Sequence, residues 1–197
     1  MCIRDSFNTF YKECNVKKFI KEHQKQYQSV CKTVNDSVQS SGILKEINNF
    51  YGQSTDGKFI IYLDLLNNLG NNAIPSVDPL FKGKRMFRLA YLNDTAKNLT
   101  DNSPVQFTPY LNVVVHEISH LFLGSFIQKY DTELFAIRSL FLTTTKGETL
   151  KESEWKNESE ELLVRVCTAK ILAQKFGKEA GLKEIENQAR HFKLAIP

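Results

Sequence analysis

The stretch Val113-Val-Val-His116-Glu117-Ile-Ser-His120-Leu-Phe-Leu123 decides how the rest of the chain is read. It contains no proline or glycine, and its apolar residues flank two histidines and one glutamate. On a helix, His116 and His120 sit four residues apart and project from one face, about 6 Å apart along the axis. Two neutral imidazoles at that spacing can hold one Zn²⁺ through bonds of ~2.0–2.1 Å. Glu117 lies about 100° round the same helix, where it can take a proton from a metal-activated water as a general base without being a ligand. An HExxH string arises by chance in about one chain of this length in two hundred, and the apolar flanks sharpen it. Burying two histidines and a glutamate on an apolar helix is costly unless they have partners. Neighbouring carbonyls could be those partners in place of a metal.

Working outward, Pro109 suits a first helical turn, and the helix runs from Tyr110 to about Tyr130. A second helix covers Asp131 to Leu140, a long one runs from about Glu154 to Phe176 before Gly177, and an amphipathic one spans Lys178 to Leu194. Upstream, Phe59–Leu63 and Arg85–Leu92 are β-branched and aromatic runs, read as strands. Asn67–Asn72 carries turn chemistry, and Pro75 and Pro79 extend that loop. Asn15 to Gln39 has helical spacing, and Ile43–Phe50 is a further short helix. Helices, then two or three strands, then helices predict an α+β fold in which a small mixed sheet and the motif helix precede a helical C-terminal lobe.

The third metal ligand must come from elsewhere. Leu123 and Phe126, three and six residues past His120, offer no further ligand on that helix. The later acids are Asp131, Glu133, Glu148, Glu152, Glu154, Glu158, Glu160 and Glu161. Glu160 and Glu161 differ from the others in opening the apolar segment Leu162-Leu163-Val164, where a carboxylate calls for a cation. Arg165 could be that cation for Glu161 at i,i+4. On these residues alone, Glu160 and Glu161 both stay open.

The helix around His116, Glu117 and His120 resembles the active-site helix of zincin metallopeptidases of the Glu-liganded, gluzincin type. Glu161-Leu-Leu-Val164-Arg165 resembles the E-x-x-V-R segment of a bacterial zincin-like family known as a domain of unknown function, and the similarity extends through Tyr62–Gly70, covering roughly residues 57–197. The resemblance implies a zincin-like fold and a zinc-dependent peptidase acting on peptides or proteins. It assigns His116, His120 and Glu161 to the metal and Glu117 to catalysis. It also implies substrate lying along an edge strand, for which Arg85–Leu92 is the candidate, and oxyanion support from a residue such as Tyr91, Tyr110, Tyr130 or His191. The competing expectation is a non-catalytic zincin-like module, with a structural or vestigial zinc site and a protein-binding role. The gap from His120 to Glu161 is longer than in the best-known Glu-liganded peptidases.

Composition bounds these expectations. The chain has 197 residues, 42% of them apolar, with 14 Phe and 7 Tyr, enough for one sizeable core. A net charge of +4 is too small and scattered to argue for nucleic acid. Four dispersed cysteines make no CxxC pair, so neither a cysteine zinc site nor a disulfide framework is expected. No apolar run approaches the ~20 residues of a membrane span, so stable membrane insertion is not expected. His23 is read as a surface residue and Trp155 as an anchor of the long helix. Residues 1–6, MCIRDS, resemble translated sequencing-adaptor read-through. Residues 1–14 are therefore expected to be a non-native or disordered arm. Residues 15–197 are expected to form one domain, with an α/β lobe at 15–130 and a helical lobe at 131–197, truncated at both ends.

Overall fold

A computed structural model describes residues 3–52, 58–65, 70–75, 78–90, 107, 109–141, 151 and 154–191. The fold is mixed α+β and mostly helical, with one small sheet among the described residues. The chain falls into two compact units, Met1–Ser37 with Asn93–Thr108 and Val38–Leu92 with Pro109–Pro197.

The first unit holds helices α1 (Ile3–Glu13) and α2 (Val16–Glu22) and most of α3 (Gln24–Ser41). Within the arm expected to be non-native or disordered, Ile3–Glu13 is helical. Asp5 in its first turn and Lys12 in its last complement the helix dipole, and Phe7, Phe10 and Tyr11 recur at helical spacing. Asn15 separates α1 from α2 with a left-handed φ of 48°, which asparagine tolerates better than most residues. The helix expected over Asn15–Gln39 is interrupted at His23, whose ring stacks on Phe19 and whose Nδ1 lies 2.8 Å from the Phe19 carbonyl. α3 buries Val30, Val34 and Val38 along one stripe, as a four-residue spacing dictates.

The second unit contains the motif helix. Helix α4 (Ile43–Phe50) is followed by strands β1 (Lys58–Asp64), β2 (Asn72–Ile74) and β3 (Lys84–Ala90). The order is β1-β3-β2, with β1 parallel to β3 and β2 antiparallel to it. The register sets Phe59 beside Arg85, and Ala73 beside Phe87. Helices α5 (Leu111–Lys129), α6 (Asp131–Ala136), α7 (Trp155–Phe176) and α8 (Lys178–His191) complete the unit. α5 packs against β2 and β3 and also against α7, which explains why its sequence is apolar nearly all round. Phe87 on β3 and Val114, Val115 and Ile118 on α5 are fully buried. Leu123, Ile127, Leu134 and Val164 form an adjoining cluster, against which Trp155 packs. Because α5 and α7 pack together, the compact unit runs across residue 130, where a lobe boundary was expected.

Gly177 ends α7 at φ 94°, a conformation open to glycine, so that α8 can fold back. At Gly181 a side chain would meet the Ala173 Cβ at 2.7 Å and the Ala169 carbonyl at 2.9 Å. The missing Cβ is what lets α8 approach α7 so closely.

Candidate metal centre

His116 and His120 project from the same face of α5, each with a side chain 20% exposed. Their Nε2 atoms lie 3.3 Å apart. α7 runs alongside and carries Glu161 to the pair. Glu161 Oε1 is 3.4 Å from His120 Nε2, and Oε2 is 3.7 Å from His116 Nε2. One donor atom from each of the three residues lies within 4.8 Å of the other two. Four bonds of ~2.0–2.1 Å arranged as a tetrahedron have edges of about 3.3–3.4 Å. The spacings of the cluster are close to that edge, and two imidazoles with a carboxylate are a donor set that suits Zn²⁺. The long gap in sequence between His120 and Glu161 is closed by helix packing.

Glu160 meets the other side of His120. Its Oε1 lies 2.8 Å from Nδ1, close enough to accept the Nδ1–H. When the ring is neutral and holds its proton on Nδ1, as a metal would require, the lone pair of Nε2 faces His116 and Glu161. Adjacent carboxylates on α7 therefore address opposite ring nitrogens of one histidine. Removing such an orienting carboxylate typically weakens metal binding about 10- to 100-fold. Glu160→Ala should show that loss in a zinc titration against a competing chelator. A loss exceeding that of Glu161→Ala would move the ligand role to Glu160.

Charge and burial are balanced tightly here. Burial pushes the His116 imidazole down to about 4, against the opposing pull of Glu161. Burial also acts downward on His120, but its hydrogen bonds and charge interactions with Glu161 and Glu160 outweigh it and raise the ring to about 9. Burial acts upward on Glu161, yet the His120 hydrogen bond and the charges of His116, His120 and Arg165 hold it below its ordinary value. Arg165, with a side chain 6% exposed, places Nη2 3.5 Å from Glu161 Oε2, the i,i+4 pair legible in the sequence.

Glu117 is 7% exposed and lies beside the cluster, in the same cleft. Burial is the largest influence on its carboxyl and raises it to about 7, assisted by Glu161 and opposed by His120, the Ala73 backbone N–H and Arg88. Ala73 belongs to β2, so the general-base candidate is tied to the edge of the sheet.

The cleft has a volume of about 800 Å³ and is lined by Asn71–Pro75 along β2, by the histidines and glutamates, and by Lys84, Arg85, Gly124 and Ser125. This corrects the choice of edge strand. Arg85–Leu92 is expected to be an edge strand along which substrate lies; Arg85 does line the cleft, but β3 is the central strand and β2 is the edge beside α5. β2 was read as loop because three residues are too few to display alternation. Its cleft residues, together with Lys84 and Ser125, were not singled out from the sequence as site residues.

The oxyanion candidates scatter. Tyr110 precedes α5 and is 64% exposed, and Tyr130 packs against the Leu123 cluster; neither lines the cleft. Tyr91, Leu92 and the side chain of His191 fall outside the described residues. Among the other acids, Asp131 pairs with Lys156, and Glu154 accepts from the Lys151 N–H. Glu148 and Glu152 fall outside the described residues.

No family model matches the chain, and neither a curated protein nor a solved structure matches it.

Proposed function

We propose that the protein is a zinc-dependent metallopeptidase of the Glu-liganded zincin type. The observation that carries this reading is the meeting of three donors from two packed helices beside a buried glutamate, at the wall of an open cleft. His116, His120 and Glu161 would hold the ion, and Glu160 and Arg165 fix the orientation of His120 and Glu161. When bound, zinc supplies Lewis acidity, polarising a substrate carbonyl and bringing the pKa of water toward neutrality.

The remaining work falls to the chain. β2 borders the cleft, and an extended peptide laid along that wall would bring its scissile bond alongside Glu117. Glu117 accepts a proton from the attacking water on a carboxylate oxygen and delivers it to the departing amine. Burial of that carboxyl favours its protonated form, which suits it to hold the proton between the two transfers. The Ala73 N–H holds that carboxylate against the sheet edge.

Three protein donors form the cluster among the described residues, the number typical of catalytic zinc sites, whereas structural sites take four. That favours a catalytic role over a purely structural one. The test is zinc content together with hydrolysis of a defined peptide mixture. One zinc ion per chain is expected, with hydrolysis lost on chelation and restored by zinc. Full zinc loading without cleavage across the mixture would leave the non-catalytic module as the better reading.

A further inference from the structure

The wall of the cleft holds a hydrogen-bond donor that neither the sheet nor the metal site uses. β2 pairs with β3 only as far as Asn72 beside Arg88, so the Ala90 N–H lies past the end of that ladder. The Asn71 side chain stands in for the missing backbone acceptor, its Oδ1 receiving the Ala90 N–H at 2.9 Å. Only the oxygen end of a carboxamide can accept that proton, so which end faces Ala90 is fixed. The other end, Nδ2, finds no acceptor among the described residues. The backbone behind it is held as well. Arg88 Nη2 donates to the Gly70 carbonyl at 3.2 Å, while its Nη1 pairs with Asp64 at 3.1 Å.

Asn71 lines the same cleft as the histidines and Glu117. Two residues on, the Ala73 N–H meets the Glu117 carboxyl. Two residues span at most about 7 Å, so Asn71 stands that near to the residue touching the general-base candidate. The other amide, hydroxyl and ammonium donors of the cleft side chains are engaged. Asn72 Nδ2 bonds the Ala73 carbonyl, Ser125 Oγ that of Phe122, and Lys84 Nζ that of Leu80. In a cleft lined by three glutamates, an unengaged neutral donor suits an uncharged acceptor. An extended peptide offers one at every residue, its backbone carbonyl.

We propose that the Asn71 side-chain amide donates a hydrogen bond to a backbone carbonyl of the substrate, setting the register of the peptide against the metal site whatever its side chains. The inference rests on the metallopeptidase reading above and adds to it how the cleft holds a peptide. Because the donor is already oriented and its backbone anchored, little freedom is lost when the bond forms.

The test uses a fluorescein-labelled octapeptide, chosen from the peptide mixture by its binding to the zinc-loaded Glu117→Gln protein. Kd is read by anisotropy in that background and kcat/KM on the zinc-loaded protein, with zinc content and melting point recorded for each variant. Asn71→Asp keeps an oxygen for the Ala90 N–H and turns an acceptor toward the substrate carbonyl. It should raise Kd about 10- to 100-fold and leave the melting point nearly unchanged. Asn71→Ala deletes both contacts, so it should raise Kd only about 3- to 10-fold while lowering the melting point by several degrees. A side chain that merely supports the fold would reverse that order in binding. The peptide's backbone carbonyls are also replaced one at a time by thioamides, which accept more weakly. At one position this should raise Kd about 3- to 10-fold, a cost that should vanish against Asn71→Ala. Asn71→Asp decides alone if Asn71→Ala does not fold. An unchanged Kd in Asn71→Asp, the reversed order, or a thioamide cost that survives in Asn71→Ala would overturn the contact and leave the peptidase reading standing. The expected binding pattern without any cleavage would support the contact and sink the peptidase reading. No binding of any peptide would overturn both.

Discussion

Glu117→Gln is expected to keep one zinc ion per chain and to lose peptide hydrolysis by about 10²- to 10⁴-fold, the usual contribution of a positioned acid–base group. The amide preserves the shape of the side chain and an acceptor for the Ala73 N–H, but it cannot take a proton from water. Zinc analysis and initial rates on one peptide check both halves. Hydrolysis that survives with full metal content would remove Glu117 from the mechanism. The same substitution has a second, independent consequence in the metal-free protein. The carboxyl holds its proton more tightly in the fold than in the unfolded chain, about 7 against 4.5. Between those values the folded state binds more protons, so the stability of metal-free wild type falls as pH rises from about 4.5 to about 7. The loss is of the order of 3 kcal/mol by linkage. Gln does not titrate, so metal-free Glu117→Gln should melt about 6–12 °C above wild type at pH 8, the two converging near pH 4. Thermal melts in the presence of chelator measure this, and equal melting points at pH 8 would contradict the buried carboxylate.

Glu161→Ala is expected to weaken zinc binding by about 300-fold, taking one ligand's share of a three-ligand site whose total is on the order of 10 kcal/mol. Glu160→Ala should lose much less, because Glu160 orients His120 from its far nitrogen. The contrast between neighbours is the decisive quantity, since both carboxylates reach His120 from consecutive positions of α7. Chelator competition reads it directly. Arg165 stands 3.5 Å from Glu161, so removing that carboxylate also alters the surroundings of a buried guanidinium. Glu161→Gln, which keeps the side chain's volume, separates the two effects: it should lose most of the zinc affinity while disturbing the fold less than Ala. If Glu161→Gln binds zinc as wild type does, the third ligand lies elsewhere.

What was readable in the chain follows the range of the interaction involved. The α5 face bearing His116, Glu117 and His120 is a matter of 3.6 residues per turn, and it needs no tertiary information. The same holds for the spans of α7 and α8, for Gly177 between them, for the Arg165–Glu161 spacing, and for β1 and β3, whose runs are long enough to show composition. α1 was missed because the first six residues were set aside as foreign, although Phe7, Phe10 and Tyr11 carry helical spacing.

The tertiary structure decided the rest. Which of Glu160 and Glu161 meets which nitrogen of His120 depends on how α7 is rolled against α5, and a helix repeat cannot express that. β2 has three residues and exists as a strand because β3 pairs with it, so only the pairing shows that β3 is central and β2 the edge beside Glu117. Arg85 and Phe122 meet across 37 positions of sequence, through a sheet packed on a helix. The sequence by itself determined the chemistry available on each helix face. Packing between elements, which is long-range and sets orientation, decided which of those groups stand together.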